Sequence, residues 1–440
     1  MKKINLIEFF AGVGAQHMAL RYLGLTKKDY NIQSIVEWQF DSILEYYELH
    51  KDHIRHRDYD YSKGISVDKL VDYFVRVGVS LDYNKPASRV GLKRRGEDDL
   101  RKCYNAIIKT NNLVNIMNVR GEDLYIVDKD KNEYLITYSF PCQDLSNAGI
   151  GKGMKRDTGT RSGLLWEVER ILNECENLPQ TLVMENVPAI HNKNNIEEFE
   201  KWQKALNEMG YTNYISDLVG TDFGVPQKRK RTFMVSVLND RDFNFPEVDI
   251  DLKPLEMFLD KYVDEEYYLS FETVERVLGW NSQQKPLKDI DKYKETSPTL
   301  LTSIGKISAA EVIVNEKTFK YKGLYNYTGG RKFMEGKDRY KEDSKLAPVL
   351  LTQPKQALVI LYEEGFRLRI LTPNECFRLM GFKDEDYKKL VSSKRKKYHA
   401  AGDTIIVPKL MGIFGELFGI DYEQKIKDLI NNILDNVKGD

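Results

Sequence analysis

The sequence predicts an α/β fold, with a large domain built on a parallel sheet and a smaller β-rich unit after it. Three observations predict this. Strand-like apolar runs alternate with amphipathic helical stretches through the first 240 residues, the pattern that feeds a parallel sheet with helices on its faces. A glycine-bearing turn, Phe10-Ala11-Gly12-Val13-Gly14, joins the first strand to the first helix. From residue 241 acidic and aromatic residues become more frequent and the apolar runs shorten.

Taken in order, residues 4–9 read as a strand, 15–22 as a helix and 32–36 as a strand. Further strands are expected over 135–140, 181–184 and 232–237, with helices over 164–175 and 196–209 between them. The connection from 39 to 117 is long and charged, with helices expected over 67–77 and 98–109. A structureless loop of that length is uncommon inside a domain, so residues 50–117 read as a helical insertion. The large domain is expected to span 1–240 and the smaller unit 241–366. A closing segment, 367–440, with helices over 372–380 and 409–418, is expected to return to the large domain.

Bulk properties narrow the function classes. A chain of 440 residues exceeds one ordinary core. Its 41% hydrophobic and 30% charged residues fit a globular protein. No stretch reaches the roughly 18 to 20 apolar residues of a membrane span, and the first residues lack a signal-peptide pattern, so a cytoplasmic location is expected. Cys103, Cys142, Cys175 and Cys376 show no paired spacing, which speaks against a disulfide framework or a zinc site, and no metal is expected. His50, His53 and His56 are read as part of a solvated polar face. The 67 basic and 67 acidic residues exclude a coat of positive charge but leave room for a local basic cleft. Of the basic clusters at 89–95, 227–231 and 394–397, only the second carries a sharper argument.

Four short segments carry chemistry. Gly12 and Gly14 let backbone approach a ligand at a helix start. Glu37, after the second strand, is placed to take ribose hydroxyls, and Trp38 can stack on a purine, so the pair points to an adenosine-containing cofactor. Ser139-Phe140-Pro141-Cys142-Gln143 ends a core strand, where open α/β sheets place their ligands. A lone cysteine is usually inert core, but this one leads into a polar loop carrying Gly149, Gly151, Gly153, Gly159, Lys152, Lys155, Arg156 and Arg161. Such a loop suits closure on a phosphate backbone. A place between strand end and helix start is expected to lower the Cys142 pKa. Glu185-Asn186-Val187-Pro188 ends another strand, and Gln227-Lys228-Arg229-Lys230-Arg231 precedes one, where inward basic residues need anionic or carbonyl partners.

These segments, with Leu371-Thr372-Pro373-Asn374-Glu375-Cys376 and Ala401-Gly402-Asp403-Thr404, together resemble the bacterial C5-cytosine DNA methyltransferase family over nearly the whole chain. Residues 137–166 are most similar to the CpG methyltransferases of mollicutes, a likeness that does not extend over 241–366. The resemblance implies a Rossmann-like S-adenosylmethionine-dependent methyltransferase domain with a smaller β-rich target recognition domain. It implies Cys142 as the nucleophile adding to carbon 6 of a flipped-out cytosine, Glu185 holding ring N3, Arg229 on O2 and Arg231 supporting them. For the cofactor it implies Phe10, Gly12, Gly14, Glu37, Trp38, Asn118, Pro141, Asp403 and Thr404. Asn118 stands where the family has Asp, and Asp403-Thr404 where it often has Asn-Ser. Double-stranded DNA is the implied partner, touched by Gln143, Ser146, Arg161, Thr299 and Thr302; ordinary strand residues are an equal reading of the last two. A cognate restriction endonuclease acting separately and a monomeric state complete the expectation. The alternatives are a tRNA cytosine-5 methyltransferase and a catalytically inactive DNA-binding protein.

Overall fold

The structure, a computed structural model, describes residues 2–54, 58–142, 145, 153–156, 161–239, 241–268, 311–312, 321–326, 356–362 and 365–438. Six strands form the central sheet: β1 (Lys3–Phe9), β2 (Tyr30–Val36), β3 (Asn132–Tyr138), β4 (Thr181–Asn186), β5 (Tyr211–Val219) and β6 (Lys230–Leu238). Their spatial order is β2-β1-β3-β4-β6-β5. β1 pairs in parallel with β2 and β3, and β3 with β4. β6 pairs antiparallel with both β4 and β5, so the parallel sheet expected from the sequence carries one reversed strand. The strand order turns back between β1 and β3, and in an open α/β sheet the crevice at such a switch point, beyond the carboxyl ends of the strands, takes the ligand.

Helices cover both faces of this Rossmann-like sheet. On one face, α1 (Ala15–Tyr22) shares a core with the late helices α8 (Pro373–Arg378), α9 (Asp384–Tyr387), α10 (Lys394–Asp403), α11 (Val407–Phe418) and α12 (Glu423–Lys438). On the other, α6 (Leu165–Glu174) and α7 (Ile196–Glu208) pack on β1, β3 and β4. β1 and β4 are buried along nearly their whole length, as strands sandwiched between helices must be. The long connection holds α2 (Phe40–His50), α3 (Val67–Val77), α4 (Arg89–Lys93) and α5 (Glu97–Lys109), which make a core of their own around Phe40, Phe74, Leu100 and Ile107. The basic cluster there is spent on ion pairs: Arg89 with Asp72, Lys93 with Asp68 and Arg95 with Asp41.

Residues 311–312 (β7), 321–326 (β8), 356–362 (β9) and 365–369 (β10) form a second sheet. Thr299, Leu300 and Thr302 lie outside the described residues. The chain leaves and re-enters the main body at one place, because Tyr268 bridges Arg369. There the fully buried Arg369 grips Glu375 through two contacts of 2.7 and 2.8 Å, and Arg378 pairs with Asp260 and Asp384. Removing one partner of such a buried pair costs about 3–5 kcal/mol, so this knot is the firm base of the second sheet.

Candidate active site

Two clusters form at the carboxyl ends of the strands. The first lies beyond β1 and β2. Phe10, half-buried, adopts φ 58° and donates its N–H to Val36 O at 2.8 Å. This turns the chain so that the Gly12 N–H meets Glu37 Oε2 at 2.9 Å, while Glu37 Oε1 accepts from the Gln39 N–H at 2.7 Å. Asn112 closes the group: its Oδ1 accepts from the Glu37 N–H at 3.1 Å and its Nδ2 donates to Glu37 O at 2.9 Å. Burial pushes the Glu37 carboxyl up to about 7, against the lowering effect of the Gln39 and Gly12 amides.

The two glycines differ. A Cβ on Gly12 would meet nothing within 4 Å, which leaves an open cradle over the turn. A Cβ on Gly14 would lie 2.5 Å from His50 Nε2 and from the Tyr46 ring, so its missing side chain serves packing against α2. His50 is fully buried, which corrects its reading as a solvated face; its Nε2 donates to Val13 O at 2.9 Å. Beneath it, His17 stacks on His50 at 4.0 Å, and Tyr46 donates to the buried Glu8. The sequence spacing of the histidines gives no sign of this burial; that α1 covers the end of α2 is a tertiary fact.

The second cluster lies at the carboxyl ends of β3 and β4 and the amino-terminal start of the reversed β6. Asn186 Nδ2 donates to Phe140 O at 3.1 Å and Ser162 Oγ donates to Pro141 O at 2.6 Å, fixing the chain on the approach to Cys142. Glu185 is buried and meets Arg231 Nε at 3.0 Å. Along 227–231 side chains alternate: Gln227, Arg229 and Arg231 are buried, whereas Lys230 is exposed. Arg229 donates to Gly402 O at 2.9 Å. The charges acting on the Cys142 thiol are Arg231, Glu185, Asp403 and Arg229, so the structure brings all four expected catalytic residues together. Burial nevertheless outweighs the two arginines and raises the Cys142 pKa. The expected lowering is therefore not found. The physical reason is desolvation, and the helix expected to help, α6, begins only at Leu165.

The other expected residues are placed as follows. Trp38 is half-buried against the insertion core, its carbonyl accepting from the Ser80 N–H at 2.7 Å. Asp403, at the end of α10, is 2.8 Å from His399 Nδ1 and acts electrostatically on both Glu37 and Cys142, which sets it between the clusters. Thr404 caps that helix and is buried. Asn118 is exposed on a turn, and its Nδ2 donates to Val77 O at 3.4 Å; the described contacts do not bring it into the Glu37 group. Arg161 donates to Asn84 Oδ1 of the insertion at 3.0 Å. Gln143 and Ser146 lie outside the described residues. Of the other cysteines, Cys103 and Cys376 are core, and Cys175 is half-buried.

Sequence reasoning passed over Asn112, Tyr83 and Lys409. Tyr83, on the insertion, has φ 62° and stacks on His399 at 4.5 Å. Asn112 gave no signal beyond its type. Lys409 did: it is one lysine in an otherwise apolar stretch of α11.

The residues present fit an adenosine-type cofactor: an open cradle at Gly12, a buried acid beside it and an aromatic ring next in sequence. Comparison with known proteins gives the family. The family described as C-5 cytosine-specific DNA methylase matches residues 78–419. The orphan methyltransferase M.SssI of Spiroplasma monobiae is 34% identical over 424 residues, covering 95% of this chain and 98% of its own. The type II methyltransferase M2.ScrFI of Lactococcus lactis subsp. cremoris is 29% identical over 422 residues, covering 94% and 99%. Among solved structures, the S. pombe Dnmt2 methyltransferase matches with a TM-score of 0.56 at 16% identity, covering 95% of this chain and 99% of that one, a likeness of fold. Among the described residues no helix is long and apolar enough to cross a membrane.

Proposed function

The chain belongs to the C-5 cytosine-specific DNA methylase family and is a DNA cytosine-5 methyltransferase; from that premise we propose that Cys142 is its nucleophile, acting on a cytosine flipped out of a short specific duplex site. The observation that carries the assignment is the gathering of Glu185, Arg229 and Arg231 on the Cys142 thiol.

Carbon 5 of cytosine is a weak nucleophile. The Cys142 thiol gives up its proton to solvent, helped by the charges of Arg231 and Arg229; addition of the thiolate to carbon 6 then forms an Sγ–C6 bond and makes the ring an enamine whose carbon 5 can attack. Glu185 holds or protonates N3 as negative charge develops, Arg229 takes O2, and Arg231 keeps the Glu185 carboxyl in place. Such preorganised charge is the largest contribution in many enzymes. Membership of the family implies S-adenosylmethionine as methyl donor, which supplies an electrophilic methyl group on a sulfonium when bound. Gly12 and Gly14 would lie along its methionine part, Glu37 on the ribose and Trp38 on the adenine, with Phe10, Pro141, Asp403 and Thr404 completing the pocket; Asn118 is proposed there from the family pattern alone, since its described contact is with Val77. Once carbon 5 carries the methyl group, its proton leaves to water and the Sγ–C6 bond breaks, returning the thiolate.

Carbon 6 is shielded in a stacked duplex, so flipping precedes chemistry at a cost of roughly a few kcal/mol. Gln143, Ser146 and Arg161 are proposed to meet the DNA around the vacated position. Residues 241–366 are proposed to read base edges in the major groove, with Thr299 and Thr302 among the readers. Residues 1–240 and 367–440 then make up the catalytic domain, with residues 243–259 packed on its core. A cytoplasmic monomer in a restriction–modification system, beside a separately acting endonuclease, fits this reading. The kinship with DNA methylases sets aside the tRNA alternative, and the intact Cys142 cluster speaks against an inactive DNA-binding protein.

Expression in a methylation-free host followed by bisulfite sequencing tests the assignment. 5-Methylcytosine is expected within one short motif and is expected to vanish in Cys142→Ala. An unmodified genome despite folded, cofactor-binding protein would overturn it.

A further inference from the structure

Lys409 lies in the apolar helix α11, is fully buried, and is used by no step above. Its Nζ donates to Arg229 O at 2.5 Å and to Leu218 O at 2.9 Å. Leu218 is near the end of β5 and Arg229 stands one residue before β6, so the amine bridges both ends of the connection between those strands. The same Arg229 carbonyl also accepts from the Gly220 N–H at 3.2 Å. Two more contacts tie this connection to the closing segment: Gln227 Nε2 to Leu379 O at 2.6 Å and Arg229 Nη2 to Gly402 O at 2.9 Å.

A lysine with no exposed surface is costly, and lysine is rarely buried unless partnered. Here the partners are two backbone carbonyls, one of them belonging to Arg229. Burial, then Arg231 and Arg229, press the amine toward its neutral form, while Glu185 and Asp222 oppose this. A neutral amine still keeps two N–H donors for the two carbonyls. Charged or neutral, the amine therefore has N–H donors for both, and the contact holds the backbone.

We propose that Lys409 is a positioning residue that fixes the Arg229 backbone, and through it the guanidinium on the target base. The inference rests on the assignment of Arg229 to the base. Misplacement of a reacting or binding group by 1 Å can cost about 10²-fold in rate, which sets the expected scale.

The test is a double-mutant cycle in single-turnover methyl transfer on duplex DNA, with Lys409→Met, Arg229→Ala and both together. Lys409→Met keeps an unbranched apolar side chain in the helix and removes the donors. Its rate of methyl transfer is expected to fall about 10- to 100-fold, with the KM for S-adenosylmethionine unchanged. The double variant is expected to be no slower than Arg229→Ala, because both lose the same placement. Additive losses, an unchanged rate in Lys409→Met, or a loss matched by a rise in cofactor KM would overturn the proposal. A wild-type rate in Arg229→Ala would instead overturn the Arg229 assignment, and the inference with it. Should Lys409→Met fail to fold, Lys409→Gln, which retains an N–H donor, is read through the same cycle: coupling with Arg229→Ala supports the proposal and additivity overturns it.

Discussion

The two clusters at the strand ends have opposite electrostatic character. Beyond β1 and β2 the ionisable group that accepts from the glycine turn is an acid, Glu37, with Asp403 acting on it and backbone amides as its donors. At the ends of β3 and β4 and the start of β6, two buried arginines flank one buried carboxylate, Glu185. The difference matches the chemistry. A sulfonium carries positive charge and suits the acidic side, whereas the attacked ring gathers negative charge and suits the cationic side. Asp403 acts on groups of both clusters, so the two fields meet there.

The contrast can be broken from either side. The largest effect is expected on the cationic side, where Cys142→Ala should lower the methyl-transfer rate by more than about 10⁴-fold, with cofactor affinity measured by calorimetry unchanged. Next is Glu185→Gln, which keeps the shape but removes the charge that answers protonation at N3. A loss of about 10²- to 10⁴-fold in rate is expected, again without loss of cofactor affinity. A change confined to cofactor affinity would place Glu185 in the wrong cluster.

On the acidic side the two glycines should separate. Gly14→Ala forces a methyl group against His50 and Tyr46 in a backbone with φ 78°, and thermal melting should show a loss of about 1–3 kcal/mol. Gly12→Ala has space for its methyl group but sets it on a left-handed backbone, φ 55°, so a loss of about 1 kcal/mol in stability should accompany weaker S-adenosylmethionine binding by calorimetry. The smallest effect is a pH dependence. Glu37 titrates near 7 because burial disfavours its charge. Below that pH it is neutral and a poorer acceptor for ribose hydroxyls. Cofactor affinity should therefore rise by up to about tenfold between pH 6 and 8, and Glu37→Gln should flatten the rise. Its stability contribution runs the other way: native Glu37 keeps a proton that the unfolded chain releases at 4.5, so that contribution is full below 4.5 and is lost as pH rises through about 7.

The sequence made some parts of this molecule plain and hid others for physical reasons. α3 carries strong apolar periodicity, and the ends of α1 and α3 coincide with those expected. β5 was hidden because an edge strand has no apolar run; Tyr211–Val219 is half-buried along most of its length. The reversal of β6 was hidden because strand direction leaves no mark on composition. Glu185, Arg229 and Cys142 could be singled out because each stands at a strand end, a place that sequence patterning can locate. The Cys142 pKa could not be read, since it depends on how deeply the site is buried once the late helices close over it. Lys409 was visible as an oddity in α11, but its partners are 191 and 180 residues away in sequence, and only the folded chain brings them together.

The central claim is a covalent bond between Cys142 and carbon 6 of the target cytosine. Fluorine in place of hydrogen at carbon 5 blocks loss of the proton that precedes release, so duplex DNA carrying 5-fluorocytosine in the modified motif should hold the enzyme in a stable adduct when S-adenosylmethionine is present. Peptide mass spectrometry of that complex should place the nucleotide on Cys142, and the Cys142→Ala variant should give no adduct. An adduct on Cys103, Cys175 or Cys376, or methyl transfer to unmodified DNA by Cys142→Ala, would contradict the account.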